Sequence, residues 1–311
     1  MEITDKINYV LGKTVVYMLL IIYPFVMHNK LNDVTLTRFF FFIIVSYVGF
    51  LVLYINSLAS FILKRVSDKK KYDDDKADFI NIEEGAYNAE SQSISKVYDI
   101  KDKIKNMDLW KKLIFLFFFV CIMSYLFSPY KSVAFLGHGG RYTGLVFYGA
   151  CVCMYYVVST CYRFEKRDIT YVLCSTILVN VWAVLNYAGM DPFYIYKDVP
   201  AAMKSVYISS LGNIDIYGMY VNMMLALAMF SFVYEESTAG KLFYGICALL
   251  GMMGSLASDS DMAVAGMFFA FVILIYFAIS DYNRLIRYFM LAVELFIAGR
   301  ILGGYIYIQS V

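Results

Sequence analysis

The sequence predicts an all-α, polytopic membrane protein with about nine transmembrane helices and a cytoplasmic N-terminus. Three observations predict this class: 61% of the 311 residues are apolar, only 17% are charged, and the mean hydropathy is +0.62. Soluble globular proteins contain about 45–50% apolar and about 25% charged residues, so the apolar surplus here requires a lipid solvent. The net charge of +2 provides no basic field for a nucleic acid. The composition therefore excludes a soluble enzyme, a nucleic-acid-binding module and a secreted disulfide scaffold.

Apolar runs long enough to cross a bilayer as helices, about 20 residues each, predict the spans. The nine predicted spans are residues 14–27, 39–63, 113–127, 145–161, 169–188, 214–233, 242–257, 262–279 and 288–308. The first is short and contains Pro24, which a membrane helix tolerates as a kink. The predicted organisation is two helices in residues 1–64, a charged insert at 65–110 and seven helices in residues 111–311.

The distribution of basic residues predicts the orientation, because cytoplasmic loops of membrane proteins are enriched in lysine and arginine. With a cytoplasmic N-terminus, 20 of the 27 basic residues fall on the cytoplasmic side and six fall outside. Without the long insert the split is eight against six and favours the same side. Nine crossings then place Val311 outside.

The insert differs in composition from the rest of the chain. Arg65–Trp110 contains nine basic and eleven acidic residues, and this density of charge prevents an apolar core. We expect disorder at 65–92 and then a cytoplasmic helix at 93–112 that leads into the third span. The insert is interpreted either as a solvated linker or as a regulatory or docking segment.

The predicted outer loop Ser128–Leu145 contains four glycines together with Lys131, His138 and Arg141. Its glycine spacing fits neither a dinucleotide fingerprint nor a phosphate-binding P-loop. What remains is a flexible cationic turn at the membrane surface, where an arginine can hold a phosphate through bidentate hydrogen bonds. The alternative is that Arg141 only snorkels to the interface or caps a helix end.

The next predicted outer loop is rich in aromatic and basic side chains. They are Phe193, Tyr194, Tyr196, Lys197, Lys204 and Tyr207. Such rings form either an interfacial belt or a platform for sugars. The loop ends at Gly212, Asn213 and Asp215, which are interpreted either as a helix cap or as the polar lining of a head-group cavity.

Two further groups of acidic residues fall in or next to predicted spans. Asp259 and Asp261 lie in a turn, where capping is a simpler explanation than cation binding. Glu294 lies inside the last span, and a carboxylate at that depth is a functional candidate. The two histidines and six cysteines show no zinc-ligand spacing, so the sequence predicts no metal site and no cofactor.

Two of these segments resemble short motifs of the O-antigen ligase and O-antigen polymerase superfamily. Ser128–Leu145, with Arg141 at its centre, resembles an early outer loop of that family, and Ser209–Asn213 resembles its Ser-x-x-Gly-Asn segment. The resemblance covers roughly residues 110–280. Where the family often has a Ser-Arg turn, this chain has Ser258-Asp259, which removes a positive charge.

The resemblance implies a metal-independent membrane glycosyltransferase of the bacterial cytoplasmic (inner) membrane. Such proteins transfer a glycan from undecaprenyl-diphosphate to an acceptor on the outer face. By the same resemblance, Arg141 is expected to contact the diphosphate, and Lys131, which lies nearby in the same loop, is expected to contact it as well. His138, Gly212, Asn213 and Asp215 are expected to line the pocket.

The catalytic histidine of that family has no counterpart that can be placed in this sequence, so the catalytic residues stay unassigned. The chain is expected to correspond to an N-terminal portion of such a protein, to a truncated gene product or to a degenerate relative, and to lack transfer activity by itself. The competing predictions are a transporter or channel, with Glu294, Asp215 and Asn222 along its path, and a non-catalytic membrane scaffold.

Overall fold

The computed structural model describes residues 2–28, 30–31, 33–78, 108–197 and 199–310, and the structure is 80% helical. The described residues form ten α-helices, which we number in chain order. They are α1 (Glu2–Tyr17), α2 (Val34–Asp78), α3 (Leu109–Phe127), α4 (Lys131–Leu136), α5 (Leu145–Cys161), α6 (Lys166–Tyr187), α7 (Ile214–Tyr234), α8 (Thr238–Ala257), α9 (Asp261–Ala278) and α10 (Tyr282–Ser310). Two strands of two residues each, β1 (Tyr207–Ile208) and β2 (Gly212–Asn213), pair antiparallel before α7.

Seven helical segments in the described part of the chain are long and apolar enough to cross a membrane. They are Ile3–Phe25, Val34–Val66, Leu109–Phe127, Lys166–Tyr187, Ile214–Tyr234, Thr238–Ala257 and Asp261–Ala278. Helix α5 is apolar but has only 17 residues, and α10 carries Arg284, Arg287, Glu294 and Arg300. The predicted all-α class is confirmed, and these helices indicate a multi-pass membrane protein. The count of nine spans and the orientation stay predictions.

The chain forms two compact units, each built from two stretches of sequence. The first unit comprises Met1–Val16 and Phe42–Arg163, and the second comprises Tyr17–Phe41 and Phe164–Val311. In the first unit, α3 and α4 both pack against α5. Helix α1 approaches the end of α5 so closely that a methyl group at Gly12 would lie 2.5 Å from the carbonyl carbon of Cys161.

The second unit is a bundle in which α7 and α8 form the centre. Small residues allow these two helices to approach closely, because a side chain at Gly251 or Gly254 would meet Leu225 or Tyr217 of α7. The hydroxyl group of Tyr217, which is fully buried, donates a 2.9 Å hydrogen bond to the side-chain oxygen of Asn180 in α6. The core of this unit therefore combines close helix packing with a paired polar group.

The first predicted span begins earlier and ends differently from the prediction. After α1 the chain continues as a π-helical turn, Met18–Ile22, and a 3-10 turn, Tyr23–Phe25. Proline has no N–H group and its ring clashes with the preceding turn, so the α-helix cannot continue through Pro24. The hydroxyl of Ser175 in α6 donates to the carbonyl oxygen of Ile21 at 2.9 Å, which satisfies a backbone acceptor in this irregular segment.

Helix α2 continues through the charged residues to Asp78, into the segment 65–92 for which the sequence predicts disorder. Residues 79–92 and most of the predicted helix at 93–112 lie outside the described residues. The end of that predicted helix coincides with the start of α3 at Leu109.

Candidate functional site

The glycine-rich loop between α4 and α5 is closed by short contacts within its own backbone. Gly137 and Gly140 both have φ near +93°, which side chains other than glycine rarely adopt. A methyl group at Gly137 would lie 2.4 Å from the backbone nitrogen of Thr143. The carbonyl oxygen of His138 accepts hydrogen bonds from the N–H groups of Arg141 and Tyr142, both at 3.1 Å. The loop therefore turns back on itself, and a side chain at Gly137 does not fit without a shift of the backbone.

This loop leaves the guanidinium group of Arg141 available to a ligand. The side chain is exposed, and it has no hydrogen-bonding or ion-pair partner among the residues that the structure describes. His138 is exposed in the same loop. An arginine that is not used within the fold can present its planar donors to a phosphate.

Large apolar side chains are exposed just before the loop. The exposed fractions of Phe127 and Tyr130 are 83% and 73%, and Val133, Phe135 and Leu136 of α4 are also exposed. The loop returns to this helix, since a methyl group at Gly144 would lie 2.4 Å from the carbonyl oxygen of Phe135. A cation that follows an exposed apolar surface suits a lipid with an anionic head group.

Lys131, the second predicted diphosphate contact, is used within the first unit. Its ammonium group donates to the carbonyl oxygens of Tyr125, at 3.0 Å, and Leu126. These carbonyls belong to the last turn of α3, where that of Tyr125 also accepts from the N–H group of Ser128 at 3.2 Å. Lys131 thus caps the end of α3, and Arg141 is the better candidate for binding a ligand.

The other predicted pocket residues belong to the second unit. Asn213 caps α7, because its side-chain oxygen accepts from the N–H groups of Asp215, at 2.9 Å, and Ile216, at 3.3 Å. Asp215 accepts a 3.0 Å hydrogen bond from the hydroxyl of Ser260. Gly212, the first residue of β2, has φ of +83°. Asn213 therefore acts as a helix cap, which is the first of the two interpretations of this segment.

Comparison with known proteins identifies no relative of this chain. No protein family, no curated protein and no solved structure matches this chain. The resemblance to O-antigen ligases and polymerases consequently depends on the quoted residues alone, and the function must be argued from the arrangement of side chains.

The second unit contains a cavity of about 640 Å³ at the end where α6 finishes and α7 begins. Tyr194, Tyr196, Tyr207, Lys197, Lys204 and Asp259 are among its lining residues. Ile214 also lines it, whereas Gly212, Asn213 and Asp215 are not among the described residues that do. The aromatic and basic loop thus forms much of the wall of a cavity, and the Gly212–Asp215 segment contributes Ile214 to that wall.

Tyr196 is fixed in that wall by its hydroxyl group, which donates a 2.7 Å hydrogen bond to the carbonyl oxygen of Tyr207. Burial, with the nearby carboxylate of Asp191, raises the pKa of Tyr196 to about 12. The phenol therefore keeps its proton at neutral pH. That carboxylate accepts from the N–H groups of Ile195, at 2.8 Å, and Tyr196, at 2.9 Å.

The residues predicted to line a transport path do not line this cavity. Glu294 is exposed in a groove whose other lining residues are all apolar: Phe232, Ile286, Phe289, Met290 and Val293. The amide of Asn222 donates to the carbonyl oxygen of Met262 at 3.3 Å, and Asp215 pairs with Ser260. Among the described residues, the groove around Glu294 therefore provides no second polar lining group to pass a solute along.

Sequence reasoning missed Arg38, which is only 6% exposed. Its guanidinium group donates to four carbonyl oxygens: Ser210 at 2.6 Å, Leu211 at 2.8 Å, Pro24 at 3.0 Å and Val26 at 3.1 Å. The sequence did contain one indication of a buried arginine, because a single arginine lies near the beginning of a strongly apolar helix. Its acceptors are main-chain groups, so no sequence motif marks them.

Proposed function

We propose that this chain is a multi-pass protein of a bacterial cytoplasmic membrane that binds a glycan carried on undecaprenyl-diphosphate, with Arg141 contacting the diphosphate on the outer face. The proposal keeps nine spans and a cytoplasmic N-terminus, which place the loop between α4 and α5 outside. It assigns binding of the lipid-linked glycan to this chain and assigns no catalytic residue.

The observation that supports the proposal is the guanidinium of Arg141, which has no partner among the described residues and lies in a closed glycine loop directly after an exposed apolar helix. A polyprenyl diphosphate needs both features, because its chain is apolar and its head group is a dianion or more. A preorganised guanidinium also stabilises the charge that develops on a diphosphate leaving group. The same contact would therefore serve binding in this chain and transfer in a catalytic assembly.

The test is binding of a polyprenyl-diphosphate oligosaccharide to the purified protein in nanodiscs. Arg141→Ala is expected to weaken binding by at least about tenfold, which is about 1.4 kcal/mol. Arg141→Lys should give an intermediate loss, since an ammonium group cannot make the bidentate contact.

The matched control is Arg163→Ala. Arg163 is exposed like Arg141 but follows the end of α5, whereas Arg141 precedes its beginning. Binding by this variant should equal that of the unmodified protein. An equal loss of binding in both variants would mean that the arginines act only through general charge attraction. Unchanged binding by Arg141→Ala would show that Arg141 does not contact the diphosphate.

A further inference from the structure

The cavity of the second unit has the size of a ligand site. Its volume of about 640 Å³ lies within the range of about 300–1,000 Å³ that is usual for small-molecule sites. It is bounded by the end of α6, the connection to α7 and the turn between α8 and α9. A saccharide of a few rings fits such a volume.

Tyrosine rings form much of its wall. Tyr194, Tyr196 and Tyr207 all line it, and a tyrosine combines an apolar face with a polar edge. Sugar rings have matching surfaces, because C–H groups cover one face and hydroxyl groups surround the edge. This wall is therefore suited to a hydroxyl-rich ligand.

The cavity is lined by more positively charged side chains than available carboxylates. Lys197 and Lys204 both line it, and in the described ranges neither has an ion-pair partner. Of the two carboxylates, Asp191 is occupied by the backbone N–H groups of Ile195 and Tyr196. Among the described lining residues Asp259 is then the one available carboxylate, against the two ammonium groups of Lys197 and Lys204.

Two of the lining residues adopt backbone conformations that are unfavourable for them. Tyr194 has φ of +52° and Asp259 has φ of +49°. A left-handed conformation is uncommon for a residue as bulky as tyrosine. Backbone strain of this kind is concentrated at ligand sites, where the fold maintains it.

We propose that this cavity binds an acidic saccharide, with Lys197 and Lys204 contacting its carboxylate or phosphate group, the tyrosines contacting its rings and Asp259 accepting from its hydroxyls. That the ligand is a saccharide rests on the function proposed above, whereas its negative charge rests on the two lysines. The glycan handled by this protein would then be an acidic one.

The test uses the full chain in nanodiscs and three soluble probes: a tetrasaccharide of alternating glucuronic acid and N-acetylglucosamine, the neutral tetramer of N-acetylglucosamine, and glucose 1-phosphate. One of the two acidic probes should bind at least about tenfold more tightly than the neutral tetramer. Whichever acidic probe binds better identifies the anion as a carboxylate or a phosphate. Equal affinity for acidic and neutral probes, or no binding of either acidic probe, overturns the proposal.

The variant with both Lys197→Gln and Lys204→Gln should lose about tenfold of the affinity for the acidic probe. The control is Lys241→Gln, at the opposite end of α8 from Asp259, which should bind like the unmodified protein. Unchanged binding by the double variant contradicts the assignment. Arg141→Ala should still bind the soluble probe, so failure of the diphosphate site and failure of this cavity give different results.

Discussion

The ammonium group of Lys166 lies 2.8 Å from the carboxylate of Glu235, and this ion pair joins the beginning of α6 to the end of α7. The same carboxylate accepts from the N–H and hydroxyl groups of Ser237, at 3.1 and 3.0 Å. Arg287 of α10 donates to the carbonyl oxygens of Glu235, at 2.8 Å, and Val233, at 3.1 Å. One side chain and the backbone next to it therefore hold three helix segments together.

This arrangement predicts an acid-sensitive contribution to stability. The hydrogen bond from Lys166, followed by those from Ser237, lowers the pKa of Glu235 to about 2 in the folded protein. An unfolded glutamate has a pKa of about 4.3, so the stabilisation is complete above that pH and is lost as the pH falls towards 2. Thermal unfolding of the unmodified protein between about pH 6 and pH 3 should show a larger loss than that of Glu235→Gln.

Glu236→Gln is the control for this measurement, because Glu236 is the exposed neighbour of the buried Glu235. It should keep the pH dependence of the unmodified protein. If Glu235→Gln loses as much stability on acidification as the unmodified protein, Glu235 is not responsible for the effect.

Arg38→Lys should destabilise the second unit although it keeps the charge. A lysine cannot reproduce four hydrogen bonds that the guanidinium makes to separated carbonyl oxygens. Hydrogen bonds to charged groups contribute about 1.5–3 kcal/mol each, so we expect a loss of about 3 kcal/mol or more. Thermal unfolding in detergent measures it. Arg65→Lys, at an exposed position of the same helix, should leave the transition within error, and an equal shift in both variants would refute the explanation.

Gly137→Ala should abolish the function of the Arg141 loop without unfolding the protein. The new methyl group requires a left-handed backbone and overlaps the nitrogen of Thr143, and the left-handed conformation alone costs about 1–2 kcal/mol. We expect binding of polyprenyl diphosphate to fall as far as in Arg141→Ala, while the protein stays folded and its melting temperature falls by only a few degrees.

Gly139→Ala provides the comparison within the same loop. Gly139 lacks a positive φ, and a methyl group there meets no atom within 4 Å in the described structure. Its binding should remain within about twofold of the unmodified protein. Similar losses in both alanine variants would mean that loop flexibility, rather than the closed conformation, determines binding.

Much of the helical framework could be predicted because lipid requires every backbone group to be satisfied within the span. The runs ending at Phe127 and Cys161 match the ends of α3 and α5, and the polar Asn213 caps α7 as its position before an apolar run suggested. The end of α2 was missed because a mixed-charge segment can be disordered or helical. Composition does not distinguish the two outcomes.

The site was less predictable because it depends on distant partners. Lys131 was expected to bind a ligand, but whether it reaches the end of α3 instead depends on how α4 turns back. The cavity wall combines the turn at Asp259 with the loop containing Lys197, more than 50 residues apart in sequence. Only the tertiary fold shows that these two segments face the same space.

The contacts of Arg38 also have an evolutionary consequence. Every acceptor it uses is a carbonyl of the main chain, and any amino acid supplies one, so positions 24, 26, 210 and 211 can change during descent without loss of the bond. Purifying selection would then act on a single codon. Shared ancestry could persist in a solitary arginine near the start of the second helix after the surrounding sequence has diverged.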